Sequence, residues 1–241
     1  MTIQGVVFDL DGVIIDSEQL WHDVRREFAL AHGGRWDDDD QLAMMGANSL
    51  QWAARMREHN GVNLTDQEIY EGIIAGLREA YARHLPLIPG AREVISALAP
   101  FYRLGVASSS PRELIEYVLE LAGLRSCFFA VVSSDEVAVG KPAPDVYREA
   151  CRRLSVSPSN AAAVEDSTSG IEAAARAGLA VIAIPNPSYP PSPEAVALAR
   201  VVLRSITELS PALVASLAAS RVAADSTLCD RVLADRDPTC D

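Results

Sequence analysis

Two aspartates at the end of an apolar run are the first candidates for chemistry in this sequence. Residues 6–8 read Val-Val-Phe, and Asp9, Asp11 and Gly12 follow directly. A short apolar run bounded by glycine predicts a buried strand, and ligands of open α/β sheets bind at the carboxyl ends of strands. Asp9 and Asp11 would share a face if the strand continued, and carboxylates so close repel each other unless a cation or shared proton intervenes. The alternative is a solvated Asp-Gly turn.

The second unusual feature is a single lysine. The chain has 21 lysines and arginines together, and only Lys141 is a lysine. It lies in a Gly-Lys-Pro-Ala-Pro-Asp segment, before a predicted helix. A compact ammonium and a planar guanidinium are not interchangeable, so this segment indicates a place where an ammonium is needed. The alternative is that composition bias removed the other lysines and that the last one fell there by chance.

A serine-rich turn follows the second predicted strand. Ser108, Ser109 and Ser110 precede Pro111, and Glu113 lies three residues after Ser110. This spacing predicts a capping box, with Pro111 at the first helical position. Ser108 and Ser109 would then lie beside a helix N-terminus, where backbone N–H groups favour an anion. A plain helix cap without a ligand is the alternative.

A further apolar run ends in two acids, Glu165 and Asp166. Charge at the end of a buried strand is costly without a counter-ion. Mg²⁺ prefers carboxylate oxygens and usually keeps several waters and a substrate phosphate oxygen. Asp9, Asp166 and Glu165 can supply the carboxylates, while Ser108 and Lys141 can hold the remaining phosphoryl oxygens.

The elements that would position these residues alternate in type. Short apolar runs separated by helical patterns predict an α/β fold with a parallel sheet covered on both faces. After residues 6–8, the predicted strands are 104–107, 129–132, 161–164, 180–184 and 201–203, and the predicted helices are 91–99, 112–122, 145–154, 168–177 and 206–222.

The segment between the first strand and Pro86 has a different composition. All four histidines and all three tryptophans lie between residues 21 and 84, where the periodicity is helical. We interpret residues 17–86 as an inserted helical module. Residues 223–241 carry little apolar periodicity and are expected to fray.

Composition excludes several functional classes. The 241 residues are 49% hydrophobic and 22% charged, which is ordinary for a globular chain able to bury a core. The net charge of −12 argues against a nucleic-acid partner. No apolar run approaches the length of a membrane span, and the first residues carry no export signal, so we expect a cytoplasmic protein without a membrane partner. The four cysteines include no CxxC pair and are expected to be free thiols.

The ordered motifs resemble those of the haloacid dehalogenase superfamily, subfamily I, which includes β-phosphoglucomutase-like and phosphoglycolate-phosphatase-like enzymes. The resemblance covers about residues 3–210 and rests on Asp9-Leu10-Asp11-Gly12, Ser108, Lys141 and Glu165-Asp166. It implies a Rossmann-like core at 1–16 and 87–210, an α-helical cap at 17–86 that closes over small substrates, and a C-terminal helix and tail at 211–241.

The resemblance also implies roles for the motif residues. Asp9 would be the nucleophile that forms an aspartyl-phosphate, and Asp11 the general acid and then base. Ser108, Ser109 and Lys141 would bind the transferring phosphoryl group.

In the same way, Asp9, Asp166, Glu165 and the main-chain carbonyl of Asp11 would form the Mg²⁺ site.

Two relatives are disfavoured. Haloacid dehalogenases lack the second aspartate, which is present here, and phosphonoacetaldehyde hydrolases use a cap lysine, which is absent here.

Two activities remain, a phosphatase and a β-phosphoglucomutase-type mutase. Mutases carry a histidine where this chain has Trp21 and a cap arginine where it has Ser49. Arg55, Arg57 or Arg78 could compensate, but we favour a phosphatase acting on a small phosphorylated metabolite. A non-catalytic binding protein is disfavoured because no motif residue is lost.

The sequence does not identify the substrate or the oligomeric state. Candidate cap residues for the substrate are Trp21, His22, Gly46 and Asn48, although Trp and His at helical spacing often pack in a core.

Overall fold

The core of the protein is a six-stranded parallel sheet, seen in a computed structural model that describes residues 2–44 and 47–218. The strand order is β3-β2-β1-β4-β5-β6, which confirms the predicted α/β fold. The strands are β1 Gly5–Phe8, β2 Arg103–Ser108, β3 Phe128–Ser133, β4 Ala161–Glu165, β5 Ala180–Ala183 and β6 Val201–Val202.

Helices cover both faces of this sheet. Val6 and Phe8 of β1 pack into one hydrophobic cluster and Val7 into the other, as alternation along a strand requires. Both faces are buried, which explains why the strands are continuous apolar runs. The core helices are α5 Ala91–Leu98, α6 Arg112–Leu121, α7 Asp145–Leu154, α8 Thr168–Ala177 and α9 Pro193–Val196.

Four helices lie between β1 and α5, within the segment predicted as a cap. They are α1 Glu18–Ala31, α2 Asp38–Met44, α3 Ser49–Glu58 and α4 Asp66–Arg83. The two chain segments that lead into and out of these helices lie side by side. The backbone N–H of Asp16 donates to the carbonyl of Pro86 at 2.8 Å, and that of Ile88 donates to the carbonyl of Ile14 at 2.9 Å. The proposed domain boundaries stay a prediction.

The C-terminal helix starts later than the sequence predicts. Residues 206–208 form a 3₁₀ turn, and the α-helix begins at residue 211. Ser210 sets this start, because its hydroxyl accepts a hydrogen bond from the backbone N–H of Leu213 at 3.2 Å. Helical periodicity does not distinguish a 3₁₀ turn from the first turn of a longer helix. The predicted helix end and tail at 219–241 lie outside the described residues.

Within the part of the chain that the structure describes, no helix is both long enough and apolar enough to cross a bilayer.

Candidate active site

Three neighbouring strands bring the predicted site residues to one edge of the sheet. Asp9 follows β1, Ser108 ends β2 and Glu165 ends β4, and β1 lies between the other two strands. Lys141 joins them from the loop before α7. Its Nζ donates to Asp9 Oδ1 at 2.8 Å and to Glu165 Oε1 at 2.6 Å. The four residues thus meet at the carboxyl edge, where ligands of such sheets bind.

Three buried carboxylates form a compact cluster at this edge. Oxygen atoms of Asp9, Glu165 and Asp166 lie within 4.8 Å of one another. Gly12 leaves room for Asp166, because a Cβ on Gly12 would lie 1.9 Å from Oδ2 of Asp166, and its φ of +81° also favours glycine. A cluster of hard oxygen donors suits a divalent cation such as Mg²⁺, so the residues present fit the metal that the sequence predicts.

Glu165 is the most constrained of the three acids. Its Oε1 accepts hydrogen bonds from Lys141 and, at 2.6 Å, from the hydroxyl of Tyr147. Its Oε2 accepts from the backbone N–H of Asp166 at 3.1 Å and from the hydroxyl of Ser167 at 3.1 Å. With both oxygens engaged, Glu165 is held in one orientation and fixes the position of Lys141.

Burial dominates the electrostatics of the cluster. It raises the pKa of Asp9 to about 8, although the ammonium of Lys141 opposes this shift. Burial, with the charge of Glu165, also raises the pKa of Asp166 well above its usual range. Burial would lower the pKa of Lys141, but the two carboxylates that contact it hold that pKa above its ordinary value. A cation would favour the ionised carboxylates, because it replaces the missing solvation.

Asp11 lies apart from this cluster. β1 ends at Phe8, so the alternation that would place Asp9 and Asp11 on one face does not apply. The Asp11 carboxylate accepts hydrogen bonds from the hydroxyl of Ser17 at 2.5 Å and from Nε1 of Trp21 at 3.4 Å. It therefore faces the first cap helix.

The serine-rich turn differs from the prediction in one respect. Ser110 does not cap the following helix, because Pro111 occupies the N-cap position and no side chain accepts there. The Ser110 hydroxyl instead donates to Asp11 Oδ2 at 2.8 Å, and that of Ser108 approaches the same oxygen at 3.3 Å. Ser108 is fully buried, while Ser109 and Ser110 line the cavity described next.

A cavity of about 540 Å³ opens above the carboxylate cluster, between the sheet edge and the cap helices. Such a volume suits a small metabolite. Its floor includes Asp9, Lys141 and Asp166. The cap contributes Glu18, Trp21, Arg25, Gln41 and Trp52, among others.

Two of the cap residues predicted to contact the substrate do not line the cavity. His22 lies next to Trp21 on the helix, but its ring is directed away from the cavity. It packs against Trp36, with the ring centroids 5.9 Å apart. Asn48 caps α3, because its side chain accepts from the backbone N–H of Gln51 at 3.1 Å. Neither residue lines the cavity, and Gly46 lies outside the described residues.

The arginines considered as substitutes for the mutase arginine also point elsewhere. Arg55 contacts Asp40 at 3.3 Å, Arg57 contacts Asp66 at 2.6 Å, and Arg78 stacks over a tyrosine ring. None of the three lines the cavity.

Sequence reasoning missed Arg25, the cap arginine that does line the cavity. Trp21, Arg25 and Ala29 are the buried residues of α1 and follow one another at intervals of four. An arginine on the buried stripe of an amphipathic helix was the available signal, because arginine is seldom buried without a partner.

Comparison with known proteins assigns the chain to a family. The profile of the haloacid dehalogenase-like hydrolases matches residues 3–178, which include all the motif residues. The chain belongs to this family. The hydrolase is 35% identical over 214 residues to hexitol phosphatase B of Escherichia coli strain K12, covering 86% of this chain and 95% of that one.

Solved structures give the same fold. CbbY from Rhodobacter sphaeroides, in complex with phosphate, superposes on the hydrolase with a TM-score of 0.76 at 29% identity, over 86% of this chain and 96% of that one. A β-phosphoglucomutase from Clostridium difficile superposes with a TM-score of 0.78 at 20% identity, over 92% and 99% of the two chains. At this identity the second comparison shows the fold alone.

Proposed function

We propose that this hydrolase is a phosphatase that releases phosphate from a small phosphorylated sugar or sugar alcohol. One observation carries the proposal: a buried aspartate, Asp9, contacts a buried ammonium at the floor of a cavity of metabolite size. A relative that is 35% identical is named a hexitol phosphatase, which supports this substrate class.

Asp9 would act as the nucleophile. One of its carboxylate oxygens attacks the phosphorus, and the bond from phosphorus to the leaving oxygen breaks as an aspartyl-phosphate forms. Lys141 contacts Asp9 and balances the charge there, while Ser108 and Ser109, in the turn after β2, would hold phosphoryl oxygens.

Asp11 would move the protons. It donates a proton to the leaving oxygen in the first step and accepts one from water in the second. That water attacks the phosphorus, the bond to Asp9 breaks, and inorganic phosphate and the free carboxylate result. The hydrogen bonds from Ser17 and Ser110 fix the Asp11 carboxylate in place for both steps.

Asp9, Asp166 and the main-chain carbonyl of Asp11 would hold Mg²⁺, with Glu165 completing the acidic cluster. When bound, the cation neutralises phosphoryl charge and lowers the pKa of the carboxylates that contact it. This matters for Asp9, which must be ionised to attack but has its pKa raised to about 8 by burial.

A mutase is the alternative activity, and one contact argues against it. Ser49, which stands where mutases carry a phosphate-binding arginine, donates its backbone N–H and hydroxyl to Asp135 at 3.0 and 2.6 Å. The N-terminus of α3 is thus bonded to a carboxylate, which would repel a second phosphate.

The test is phosphate release with Mg²⁺ across a panel of phosphorylated metabolites that includes β-glucose 1-phosphate, with glucose 6-phosphate also assayed. We expect free phosphate from sugar or sugar-alcohol phosphates. Asp9→Asn, which preserves shape but removes the nucleophile, should abolish turnover. Asp23→Asn, an exposed change on the cap, is the matched control. Glucose 6-phosphate without free phosphate would establish a mutase instead.

A further inference from the structure

The guanidinium of Arg25 is buried in the cavity wall without a full set of partners. Arg25 is 4% exposed, and its Nε has no hydrogen-bond partner among the described residues. Its Nη1 donates to Gln41 Oε1 at 3.3 Å. Within the described part of the chain, no carboxylate oxygen lies within the 4.0 Å of an ion pair with Arg25.

Such an arrangement is costly without a bound molecule. A guanidinium remains charged even where burial lowers its pKa, here to about 10, so its donors need acceptors. The rings of Trp21 and Trp52, at 4.4 and 5.4 Å from the guanidinium carbon, offset part of the lost solvation. Neither ring supplies the oxygen or nitrogen acceptor that Nε lacks. Arg25 lines the cavity, so an oxygen of a ligand bound there would supply a further acceptor to the guanidinium.

An acid of the same helix completes the wall. Glu18 lines the cavity beside Arg25, and its Oε2 accepts a hydrogen bond from Gln41 Nε2 at 2.9 Å. Gln41 therefore links the two side chains and holds the arginine and the acid at a fixed separation. The wall thus offers donors from Arg25 and acceptors from Glu18 within one small region.

This combination selects among possible substrate tails. A hydroxyl both donates and accepts, so adjacent hydroxyls can satisfy Arg25 and Glu18 together. A carboxylate or a second phosphate could accept from Arg25 but would place its charge beside Glu18.

We propose that Arg25, Gln41 and Glu18 form a subsite that binds the uncharged hydroxyl groups at the end of the substrate remote from its phosphate. The substrate is then a neutral polyol phosphate rather than a phosphorylated acid or a bisphosphate. This assignment rests on the proposed function, because it assumes that the phosphate lies at Asp9 and Lys141.

The first test compares ligands that differ only in the tail. Sorbitol 6-phosphate ends in a hydroxymethyl group where 6-phosphogluconate ends in a carboxylate. The third ligand, n-hexyl phosphate, has a carbon chain of the same length without hydroxyls. Their binding to Asp9→Asn with Mg²⁺, followed by calorimetry, requires no turnover. We expect sorbitol 6-phosphate to bind at least about 10-fold more tightly than either of the others, as one charge-assisted hydrogen bond predicts. Tighter binding of 6-phosphogluconate would overturn the proposal.

The second test removes the two charged groups in turn, in the Asp9→Asn background. Arg25→Met should weaken sorbitol 6-phosphate binding about 10- to 100-fold and n-hexyl phosphate binding about 3-fold at most. Arg57→Met, on an exposed cap arginine outside the cavity, is the matched control and should change neither. Equal losses for the two ligands would mean that Arg25 acts only on the fold.

Glu18→Gln keeps the shape of the acid and removes its charge. It should shift the affinity ratio of 6-phosphogluconate to sorbitol 6-phosphate about 10-fold toward the acid. An unchanged ratio would contradict the role of Glu18. Phosphate release by the wild-type enzyme tests the phosphatase activity separately from the subsite. If no phosphate were released, the phosphatase activity would be refuted, and the binding data would still decide whether the subsite binds hydroxyl groups.

Discussion

The Asp11 carboxylate accepts hydrogen bonds from four side chains, which hold it between the cap and the sheet edge. Its partners are Ser17, Trp21, Ser108 and Ser110. These hydrogen bonds fix the position of the carboxylate. We therefore expect replacement of the Asp11 carboxylate to affect proton transfer more than substrate binding. We expect Asp11→Asn to lower kcat for sugar phosphates about 10²- to 10⁴-fold, as loss of a general acid does.

A good leaving group needs little protonation, so the same change should cost far less with p-nitrophenyl phosphate under single-turnover conditions. Phosphorylation of Asp9, measured by rapid quench, reports this step before the second proton transfer. Equal losses with good and poor leaving groups would count against the acid role.

Tyr147 contacts the acidic cluster through Glu165. Its hydroxyl donates at 2.6 Å to the Glu165 oxygen that also accepts from Lys141. Tyr147→Phe should loosen Glu165 and Lys141, lowering kcat about 3- to 10-fold and stability by about 1 kcal/mol. Steady-state kinetics and urea unfolding measure the two effects.

The matched control is Tyr102→Phe, because the Tyr102 hydroxyl donates to the carbonyl of Pro211 at 2.9 Å, far from the catalytic residues. It should cost similar stability without changing kcat. If both variants kept wild-type kcat, Tyr147 would serve the fold alone.

Most of the polar site was predictable residue by residue. Asp9 and Asp166 were visible because they lie at the ends of apolar runs, where charge has no structural reason, and Lys141 because it is the single lysine. Tyr147 and Arg25 were not, because an aromatic or long side chain on a helix is ordinary in composition. Only the packing shows that the Tyr147 hydroxyl reaches Glu165.

At the scale of elements, α3 connects the cap to the sheet edge. Its first residue, Ser49, donates two hydrogen bonds to Asp135, which follows β3. A carboxylate at a helix N-terminus is favourable, so this contact fastens α3 to the sheet edge, and we expect it to hold the predicted cap closed over the cavity.

Asp135→Ala should weaken this closure and raise KM for a sugar phosphate about 3- to 10-fold, since both bonds are lost. Ser49→Ala removes only the hydroxyl bond and should have a smaller effect. Steady-state kinetics of the two variants provide the measurement. A larger effect from Ser49→Ala, or none from Asp135→Ala, would show that this contact does not hold the cap closed.

The strands were predicted to within about one residue, since buried parallel strands are apolar runs with sharp ends. The cap helices were predicted only as a group. Their order of packing depends on contacts such as the edge-to-face pair of Trp21 and Trp52, 6.1 Å apart, which no local pattern specifies.

At the scale of the whole molecule, the raised pKa values make stability depend on pH and metal. Burial raises the pKa of Asp9 to about 8, whereas the unfolded chain releases this proton near pH 4. The folded, metal-free protein therefore binds more protons, and its stability should fall as pH rises from about 4 to 8. Asp166, whose pKa is raised for the same reason, adds to this trend.

A bound cation takes the place of these protons. We expect Mg²⁺ to raise Tm more at pH 8.5 than at pH 6, because binding no longer competes with protonation. Thermal unfolding with EDTA or Mg²⁺ at both pH values tests this. Asp9→Asn, which cannot titrate at that position, should show a weaker pH dependence when metal-free. If the stability of the metal-free wild-type protein depended on pH no more steeply than that of Asp9→Asn, the link between Asp9 protonation and stability would be refuted.

Two backbone hydrogen bonds, between Asp16 and Pro86 and between Ile88 and Ile14, join the segments that lead into and out of the inserted helices. This pairing bears on how such an enzyme can change over evolutionary time. The polypeptide leaves the sheet and returns to it at neighbouring points, so the intervening helices form a cassette whose two covalent connections to the sheet lie side by side. Grafting a different cassette there would leave every strand register intact. The groups that cleave the ester and those that choose which ester is cleaved can therefore be inherited separately.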